Sequence, residues 1–221
     1  LKHIVGLLKP DKGEVWFDGM RTDTLKDSEF AKIRPRFGFL FQMSALFDSL
    51  TNAENVAFPL VEHTKKSREE IAAIVHQRLA MVGLPDVGSK LPSQLSGGQR
   101  KRIALARAIA MDPQVVMYDE PTTGLDPIRS DVINELILKL SRELPITSLI
   151  VTHDMTSAFK IATRIVMLYH GKVIFDGTPD EARASDNDVL RRFIAGEATD
   201  EELAGLNTTL DGAKPAPRLV Q

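Results

Sequence analysis

The chain has 221 residues, a formal net charge of −2 and a hydrophobic content of 43%. This length and apolar content are enough for one domain with an insertion or for two small domains. The small net charge gives no reason to expect a protein that seeks nucleic acid, and the absence of cysteine excludes disulfides and thiolate metal sites. No apolar run approaches the roughly 18 residues of a membrane-spanning helix, and the first residues do not resemble a signal peptide. We therefore expect a globular protein of a reducing, cytoplasmic compartment.

The first eight residues have apolar side chains at helical spacing, with no cap residue before them. The apolar positions are Leu1, Ile4, Val5, Leu7 and Leu8. This pattern predicts a helix that ends at the turn residues Pro10–Gly13. Because such a helix would have no start, we expect the sequence to begin inside an element.

Short elements lead to the first chemically interesting position. The pattern predicts a strand at Glu14–Phe17, a turn at Asp18–Gly19 and a brief helix at Ser28–Ile33. An apolar strand follows at Phe37–Phe41, and it ends at Gln42.

From about residue 50 to residue 91 the pattern is helical throughout. One predicted helix covers Asn52–Phe58, and a second covers Ser67–Val82 with its apolar residues on one face. Ser67 and Glu70 have the spacing of a capping box at the start of the second helix. Because no strand-like run interrupts the segment, we predict a helical subdomain inserted into an α/β core.

Strands return after Pro113 and alternate with helices. The predicted strands are Val115–Tyr118, Ser148–Thr152, Ile165–Tyr169 and Lys172–Phe175, and a hairpin turn at His170–Gly171 joins the last two. Asp126 and Pro127 favour a helix start between the first two of these strands. Strands that alternate with helices indicate an α/β fold with a largely parallel sheet.

A glycine pair follows a capping residue at Ser96. Ser96 and Gln99 have capping-box spacing, so a helix that reaches Ala110 can begin there. Gly97 and Gly98 leave backbone N–H groups and the positive end of the helix dipole open to an anion. Each glycine costs about 1 kcal/mol relative to alanine within a helix. Two glycines in one turn therefore suggest that something approaches closely.

The same helix carries several basic residues. They are Arg100, Lys101, Arg102 and Arg107. We interpret them as a solvated helix face rather than as a nucleic-acid surface.

Polar residues suited to metal and phosphate chemistry follow three of the predicted strands. Asp119 and Glu120 end the strand that begins at Val115, and open parallel sheets bind their ligands at that end. An Asp there can bind Mg²⁺ directly or through water, and an adjacent Glu can accept a proton from an attacking water. Gln42 and His153 occupy the corresponding ends of two other strands. Three strand ends with such polar residues in one chain favour a common phosphate-binding site over three unrelated polar loops.

In this order and spacing, the sequence resembles the ABC-type ATPases. Leu95–Gln99 is similar to their signature motif, and the strand that ends at Asp119–Glu120 is similar to their Walker B motif. Gly124–Asp126 resembles the D-loop, Gln42 the Q-loop glutamine and His153 the switch histidine.

Within that family, the chain looks most like the ATPase of Mla-type phospholipid transporters, which are associated with lipid asymmetry and Mce proteins. The residues that carry this similarity are Phe41–Asp48, Asn55–Leu60 and Phe193–Glu197. The resemblance to the wider family covers the chain up to about Phe193.

The resemblance implies an α/β fold with a P-loop NTPase-like, mostly parallel sheet core and an inserted helical subdomain, with the N-terminal strands and phosphate loop absent. Residues 1–49 would be the first part of a RecA-like core, and 50–93 the helical subdomain. Residues 94–193 would be the signature helix with the rest of the core, and 194–221 a C-terminal extension. Within that extension we expect a mobile tail over 213–221.

The resemblance further implies a head-to-tail homodimer that binds two ATP molecules with Mg²⁺ at its interface. The residues that would bind the nucleotide are Ser96, Gly97, Gly98, Gln99, Gln42 and Asp126. Glu120 would deprotonate the attacking water, and His153 would contact the γ-phosphate. Asp119 and Gln42 would hold Mg²⁺ or its waters. The glycine helix start of one subunit would face the carboxylates of the other.

The implied partners are a second ATPase subunit, a transmembrane permease and an Mce-type lipid-binding protein, with no nucleic acid. The helical segment after Gln42 would dock the permease, so hydrolysis would drive transport, of phospholipid in an Mla-type system. The implied location is peripheral, on the cytoplasmic face of the inner membrane.

One motif of the family is not found in the sequence. No Gly-x-x-x-x-Gly-Lys-Ser/Thr loop is present, because the one glycine that precedes a lysine, Gly171, is followed by Lys172 and Val173. That loop would supply a lysine to the phosphates and a hydroxyl to Mg²⁺. We therefore expect these 221 residues by themselves not to hydrolyse ATP.

Other functions remain open on the sequence. They are an importer ATPase for another small solute, a chain that binds a partner without hydrolysing ATP, and a DNA-repair or chromosome-maintenance ATPase. The last class inserts long coiled coils, whereas residues 50–93 contain no sustained heptads.

Overall fold

The computed structural model describes residues 1–198, so the tail expected over 213–221 lies outside the described residues. The strands within this part of the chain are β1 (Trp16–Phe17), β2 (Met20–Arg21), β3 (Phe37–Leu40), β4 (Val115–Asp119), β5 (Thr147–Val151), β6 (Ile165–Tyr169) and β7 (Lys172–Gly177). The helices are α1 (Asp27–Ile33), α2 (Asn52–His63), α3 (Arg68–Met81), α4 (Gly97–Ala108), α5 (Pro127–Glu143), α6 (Met155–Ile161), α7 (Pro179–Arg183) and α8 (Asp188–Ala195). No helix among them is both long and apolar enough to cross a membrane.

The chain forms two compact units, one over Leu1–Ile161 and the other beginning at Ala162. In the first unit, β3, β4 and β5 form a parallel sheet in that order. Tyr118 of β4 pairs with Leu40 of β3 and with Ile150 of β5. The predicted α/β fold with parallel strands is therefore confirmed. Because parallel strands end at one edge, Gln42, Glu120 and His153 follow three neighbouring strand ends.

Helix α4 lies at the centre of the first unit's core. Its residues Ile103 and Leu105 are fully buried, as are Leu40 of β3 and Tyr118 of β4. Burying side chains of this size stabilises the fold by about 1.5–3 kcal/mol each. The helix approaches β3 so closely that a Cβ at Gly38 would lie 2.3 Å from the carbonyl oxygen of Ala108. Glycine at position 38 therefore lets α4 lie directly against the sheet.

The helix starts follow their capping residues. The hydroxyl of Ser67 accepts a hydrogen bond from the N–H of Glu70 at 3.2 Å, and the Glu70 carboxylate accepts one from the N–H of Ser67 at 2.6 Å. The predicted capping box of α3 is thus confirmed. Helix α2 extends past the predicted end at Phe58, because Pro59 is tolerated inside it and the buried Leu60 anchors its last turn.

The predicted helix over residues 1–8 is wrong. Irregular turns occupy this segment. Gly6 has φ +68°, and its Cα packs so closely on the ring of Phe30 that a Cβ would lie 2.7 Å from it. A left-handed residue ends helical hydrogen bonding, and of the predicted apolar face only Val5 is buried. Leu7 and Leu8 are 55% and 50% exposed.

The second unit, as described to residue 198, contains the hairpin of β6 and β7, followed by α7 and α8. The strand pairing is antiparallel, with an irregularity between Met167 and Leu168. Ala182 and Leu190 are its buried helical residues. The predicted hairpin turn at His170–Gly171 is confirmed.

Candidate functional site

The strand ends bring Glu120 and His153 into direct contact. The Nδ1 atom of His153 lies 2.9 Å from Oε1 of Glu120. The main-chain N–H of His153 donates to the same oxygen at 3.1 Å. The contact arises because β4 and β5 are adjacent and parallel, so the residues after Asp119 and Val151 leave the sheet side by side.

The backbone of Glu120 has an unusual conformation that several hydrogen bonds maintain. Its φ is +49°, a left-handed value that costs a non-glycine residue roughly 1–2 kcal/mol. Its N–H donates to the carbonyl of Val151 at 2.9 Å. Its carbonyl accepts from the N–H of Thr123 and from Nζ of Lys101, both at 3.3 Å. Strain of this kind persists where the surroundings over-determine the conformation.

The carboxylate of Glu120 is also fixed at both oxygens. His153 contacts Oε1, and the hydroxyl of Thr123 donates to Oε2 at 2.9 Å. The side chain is half-buried, so the group is oriented while still open to solvent on one side. A carboxylate that is held in this way can accept a proton from a water placed beside it.

The charge of Glu120 in turn affects His153. The hydrogen bond to the Glu120 carboxylate and its negative charge hold the pKa of the His153 imidazole above its ordinary value, and burial only weakly opposes this. The folded protein therefore binds a proton at His153 more tightly than a free imidazole does, and a protonated imidazole can donate to an anionic oxygen.

The carboxylate of Asp119 fits a cation. Asp119 is half-buried at the end of β4, and no described side chain or backbone group bonds to its carboxylate. Gln42 follows β3, and its exposed amide likewise has no partner in residues 1–198. Mg²⁺ prefers one or two protein oxygens, completed by phosphate oxygens and water. The described residues contain no group of three or more His, Cys, Asp and Glu side chains that could hold a metal alone.

The start of α4 forms as predicted, and its glycines are not required by packing within the chain. Ser96 caps the helix, since its hydroxyl accepts from the N–H of Gln99 at 3.3 Å, and Gln99 returns a bond to the N–H of Ser96 at 2.9 Å. A Cβ at Gly97 would lie 3.7 Å from Leu125, and one at Gly98 would lie 3.9 Å from Arg129. Both are ordinary contact distances. The close approach that two glycines permit is therefore not made by the described part of this chain.

Asp126 acts as a helix cap. Its carboxylate accepts from the N–H of Arg129 at 2.9 Å and forms an ion pair with the Arg129 side chain at 3.2 Å. The predicted start of α5 at Asp126–Pro127 is thus confirmed.

The structure separates the two groups of predicted site residues. Ser96, Gly98 and Gln99 line a small cavity of about 130 Å³ with residues of α5. His153 lines a different cavity, of about 380 Å³, together with Thr122–Leu125. Within one chain, the glycine helix start and His153 therefore line two different cavities.

A buried polar network supports the segment around His153. Thr122 and Ser157 donate to the Asp154 carboxylate at 3.3 and 2.6 Å, and the amide of Asn134 donates to the Ser157 hydroxyl at 2.8 Å. Asn134 is only 3% exposed. Burial raises the pKa of Asp154, but the hydrogen bonds from Ser157 and Thr122 outweigh it and hold the pKa below its ordinary value. The network joins α5, α6 and the loop after β4.

The interpretation of the basic residues of α4 as a solvated face is wrong for Lys101, Arg102 and Arg107, which are buried or half-buried, and holds only for the exposed Arg100. Each of the four donates to a main-chain carbonyl: Arg100 to Leu95, Lys101 to Gln42 and Glu120, Arg102 to Val82, and Arg107 to Ser44 and Ala45. Lys101 is only 5% exposed. Its position could have been recognised, because Lys101 has helical spacing with the buried residues Leu105 and Ala108.

Comparisons with known proteins give a consistent result. A family model described as "ABC transporter" matches residues 1–123. The chain is 41% identical over 196 residues to "Probable ribonucleotide transport ATP-binding protein mkl" of Mycobacterium bovis. The aligned region covers 89% of this chain and 55% of that protein. It is 42% identical over 198 residues to "Intermembrane phospholipid transport system ATP-binding protein MlaF" of Haemophilus influenzae, covering 90% of this chain and 75% of that protein.

The structure is also similar to a solved ATP-binding cassette, a dimer in a post-hydrolysis state bound to ADP and Pi. The TM-score is 0.73 with 37% sequence identity, over 80% of this chain and 78% of that one. The present chain spans about half the length of the mycobacterial relative.

Proposed function

Because the chain belongs to the ABC transporter family, we propose that the full-length protein binds and hydrolyses ATP with Mg²⁺ to drive transport through a membrane permease. The observation that carries this proposal is the Glu120–His153 contact of 2.9 Å next to the carboxylate of Asp119, which has no partner among residues 1–198. A base, a hydrogen-bond donor and a metal-binding oxygen then lie at neighbouring strand ends.

The residues present fit the part of the site that binds the metal and the attacking water, whereas the phosphate loop is not among these 221 residues. Asp119 and Gln42 would hold Mg²⁺ or its waters, and the ion would supply positive charge to the phosphates. Glu120 orients the attacking water and takes its proton. His153 donates a hydrogen bond to the transferred phosphoryl group, a role that the raised pKa of its imidazole favours.

We propose a homodimer as the active assembly. Gly97 and Gly98 leave room that this chain does not fill, and the helix start there is suited to an anion. In the proposed assembly, Ser96–Gln99 of one subunit face the ATP that lies beside Glu120 of the other subunit. Asp126 also faces this ATP. The similarity to a solved dimeric cassette supports this arrangement.

An apolar surface after Gln42 is the proposed permease contact. A cavity of about 320 Å³ lies between β3, the loop that follows it and α2, and several phenylalanines line it. The rings of Phe47 and Phe58 are 4.8 Å apart and partly exposed, and Met43 is 87% exposed. Exposed apolar groups of this kind mark protein-protein contacts. With the permease bound, the protein would lie on the cytoplasmic face of the inner membrane.

We propose phospholipid as the cargo, with an Mce-type lipid-binding protein as a further partner and no nucleic acid. The name of the Haemophilus influenzae relative, an intermembrane phospholipid transport ATP-binding protein, supports this cargo. The name of the mycobacterial relative supports a ribonucleotide instead. The similarity of Phe41–Asp48 and Asn55–Leu60 to Mla-type ATPases decides our choice.

Transport assays with the full-length protein test the proposal. The purified protein should release phosphate from ATP only when Mg²⁺ is present. Reconstituted with its permease, it should move labelled phospholipid between vesicles in an ATP-dependent way. ATP-dependent uptake of a ribonucleotide without phospholipid transfer would refute phospholipid as the cargo. A full-length protein without ATPase activity would contradict the proposed function itself.

A further inference from the structure

Lys101 is a buried cation that touches two elements of the candidate site. Its Nζ atom donates to the carbonyl of Gln42 at 3.1 Å and to the carbonyl of Glu120 at 3.3 Å. It lies in the second turn of α4, two residues after Gln99, and is 5% exposed. One ammonium group therefore joins the beginning of α4 to the ends of β3 and β4.

The position of Lys101 is costly without these bonds. Burial lowers the pKa of its ammonium, and the charge of Glu120 partly offsets this. Buried charges persist when they are paired or hydrogen-bonded. Two main-chain carbonyls and the nearby carboxylate of Glu120 provide that compensation. A side chain that served only to fill space here would be apolar, like its neighbours Leu105 and Ala108.

The bond to Glu120 acts on a strained residue. Glu120 has φ +49°, and its carbonyl accepts only from Lys101 and Thr123 in the described part of the chain. A donor on that carbonyl fixes the peptide plane from which the carboxylate projects. The same ammonium fixes the peptide of Gln42, whose side chain points to solvent.

We propose that Lys101 is a positioning residue, which holds Glu120 and Gln42 in register with the glycine helix start of α4. This inference rests on the proposed ATPase function, because that function makes α4 and Glu120 parts of two linked sites. A shift of α4 on binding a ligand at Gly97 would then move the base and the metal-binding amide together.

A neighbouring residue provides a matched control. Arg102 is also a partly buried cation of α4 and also donates to a main-chain carbonyl, that of Val82 at 3.3 Å. Val82 is the residue that ends α3 and belongs to neither strand end. Arg102→Met thus removes a similar bond without touching Gln42 or Glu120.

The test compares Lys101→Met, Lys101→Gln, Lys101→Arg and Arg102→Met in the full-length protein. Hydrogen exchange, read by mass spectrometry on a peptide over residues 119–124, reports the order of the Glu120 segment without any nucleotide. Loss of a hydrogen bond from a charged donor should raise exchange in Lys101→Met by at least about tenfold. Lys101→Gln should give an intermediate rise, Lys101→Arg should restore protection, and Arg102→Met should leave this peptide unchanged.

Kinetics provide the second readout. A misplaced base should lower kcat of Lys101→Met by about 10- to 100-fold while the KM for ATP changes little. If Lys101→Met does not fold, as judged by thermal unfolding, Lys101→Gln carries the same comparison. Exchange equal to that of Arg102→Met in every Lys101 variant overturns the proposal. A wild-type protein without ATPase activity would refute the proposed function, whereas the exchange results would still decide the role of Lys101.

Discussion

Glu120 and His153 form a pair in which one carboxylate oxygen, Oε1, binds both the imidazole Nδ1 at 2.9 Å and the main-chain N–H of His153 at 3.1 Å. The other oxygen binds the hydroxyl of Thr123. The pair therefore has a fixed geometry before any ligand is bound, and its removal has specific consequences.

Substitution of Glu120 should separate hydrolysis from binding. Glu120→Gln in the full-length protein keeps the shape of the side chain and one acceptor oxygen but cannot take a proton. We expect ATP turnover to fall by at least about 100-fold, while ATP-dependent dimerisation persists. Phosphate release and size-exclusion chromatography with ATP measure the two effects. Glu143→Gln, at an exposed position of α5, is the control and should leave both ATP turnover and dimerisation unchanged. Hydrolysis near the wild-type rate in Glu120→Gln would refute the assignment of Glu120 as the base.

The pKa of His153 should depend on Glu120. The carboxylate holds this pKa above the ordinary value of 6.5, so Glu120→Gln should lower it, whereas Glu143→Gln should not. NMR titration of the imidazole measures the shift. A His153 pKa that is equal in wild type and Glu120→Gln would mean that the pair does not persist in solution.

The same shift predicts a pH dependence of stability. Because the folded pKa of His153 is raised, its contribution to stability is fully present below the unfolded pKa and is lost as the pH rises through the folded pKa. The difference in unfolding free energy between wild type and His153→Gln should therefore be largest on the acidic side and shrink toward alkaline pH. Urea unfolding at pH values from about 5.5 to 8.5 tests this dependence. A difference that grows with pH would contradict it.

The glycines of α4 should matter for assembly rather than for folding. Gly98→Ala meets only ordinary contacts at 3.9 Å, so the unfolding free energy should stay constant or rise by up to about 1 kcal/mol. ATP-dependent dimerisation should be lost, because a methyl group would occupy the approach to the helix start. Gly38→Ala is the opposite control, since its Cβ would clash with the carbonyl of Ala108 and should destabilise the fold. A Gly98→Ala protein that still dimerises with ATP would contradict the proposed interface.

The buried network behind His153 should contribute to stability. Ser157→Ala leaves the amide of Asn134 without its acceptor and removes one of the two hydroxyl groups that donate to Asp154. We expect a loss of about 1–3 kcal/mol in unfolding free energy, as for other unsatisfied buried groups. Thr156→Ala, one residue earlier at an exposed position of α6, should cost little. Urea unfolding of the two variants gives the comparison, and equal effects would mean that the network is not stabilising.

Local signals were sufficient for most elements of the fold. The capping box of Ser67 and Glu70 and the Asp126–Pro127 helix start predicted α3 and α5, because these bonds form between residues three apart in sequence. The apolar runs that became β4 and β5 predicted parallel strands for a similar reason, because a continuous hydrophobic run is what burial on both faces requires. Val116, Met117 and Tyr118 of β4 are buried as expected, whereas Leu149 and Val151 of β5 are exposed, so the burial expected of β5 is wrong.

Non-local contacts decided the positions that were predicted wrongly. The ring of Phe30 and the left-handed Gly6 disrupt the helix expected over the first eight residues, and their sequence separation conceals the contact. Lys101 has a side chain that usually faces solvent, but the carbonyls that bind it belong to Gln42 and Glu120. Charge type alone could not reveal that those carbonyls would be within reach.

The sequence by itself determined which residues can perform the chemistry: Asp119, Glu120, His153 and the glycine-started helix at Ser96. It could do so because their residue types and strand-end positions are local properties. Only the tertiary structure decided that Glu120 and His153 touch, that Asp119 has no partner within the described residues 1–198, and that Lys101 connects α4 to both strand ends. These relations depend on the parallel register of β3, β4 and β5 and on the close packing of α4 against Gly38. Register and packing arise from the whole core, so no single segment encodes them.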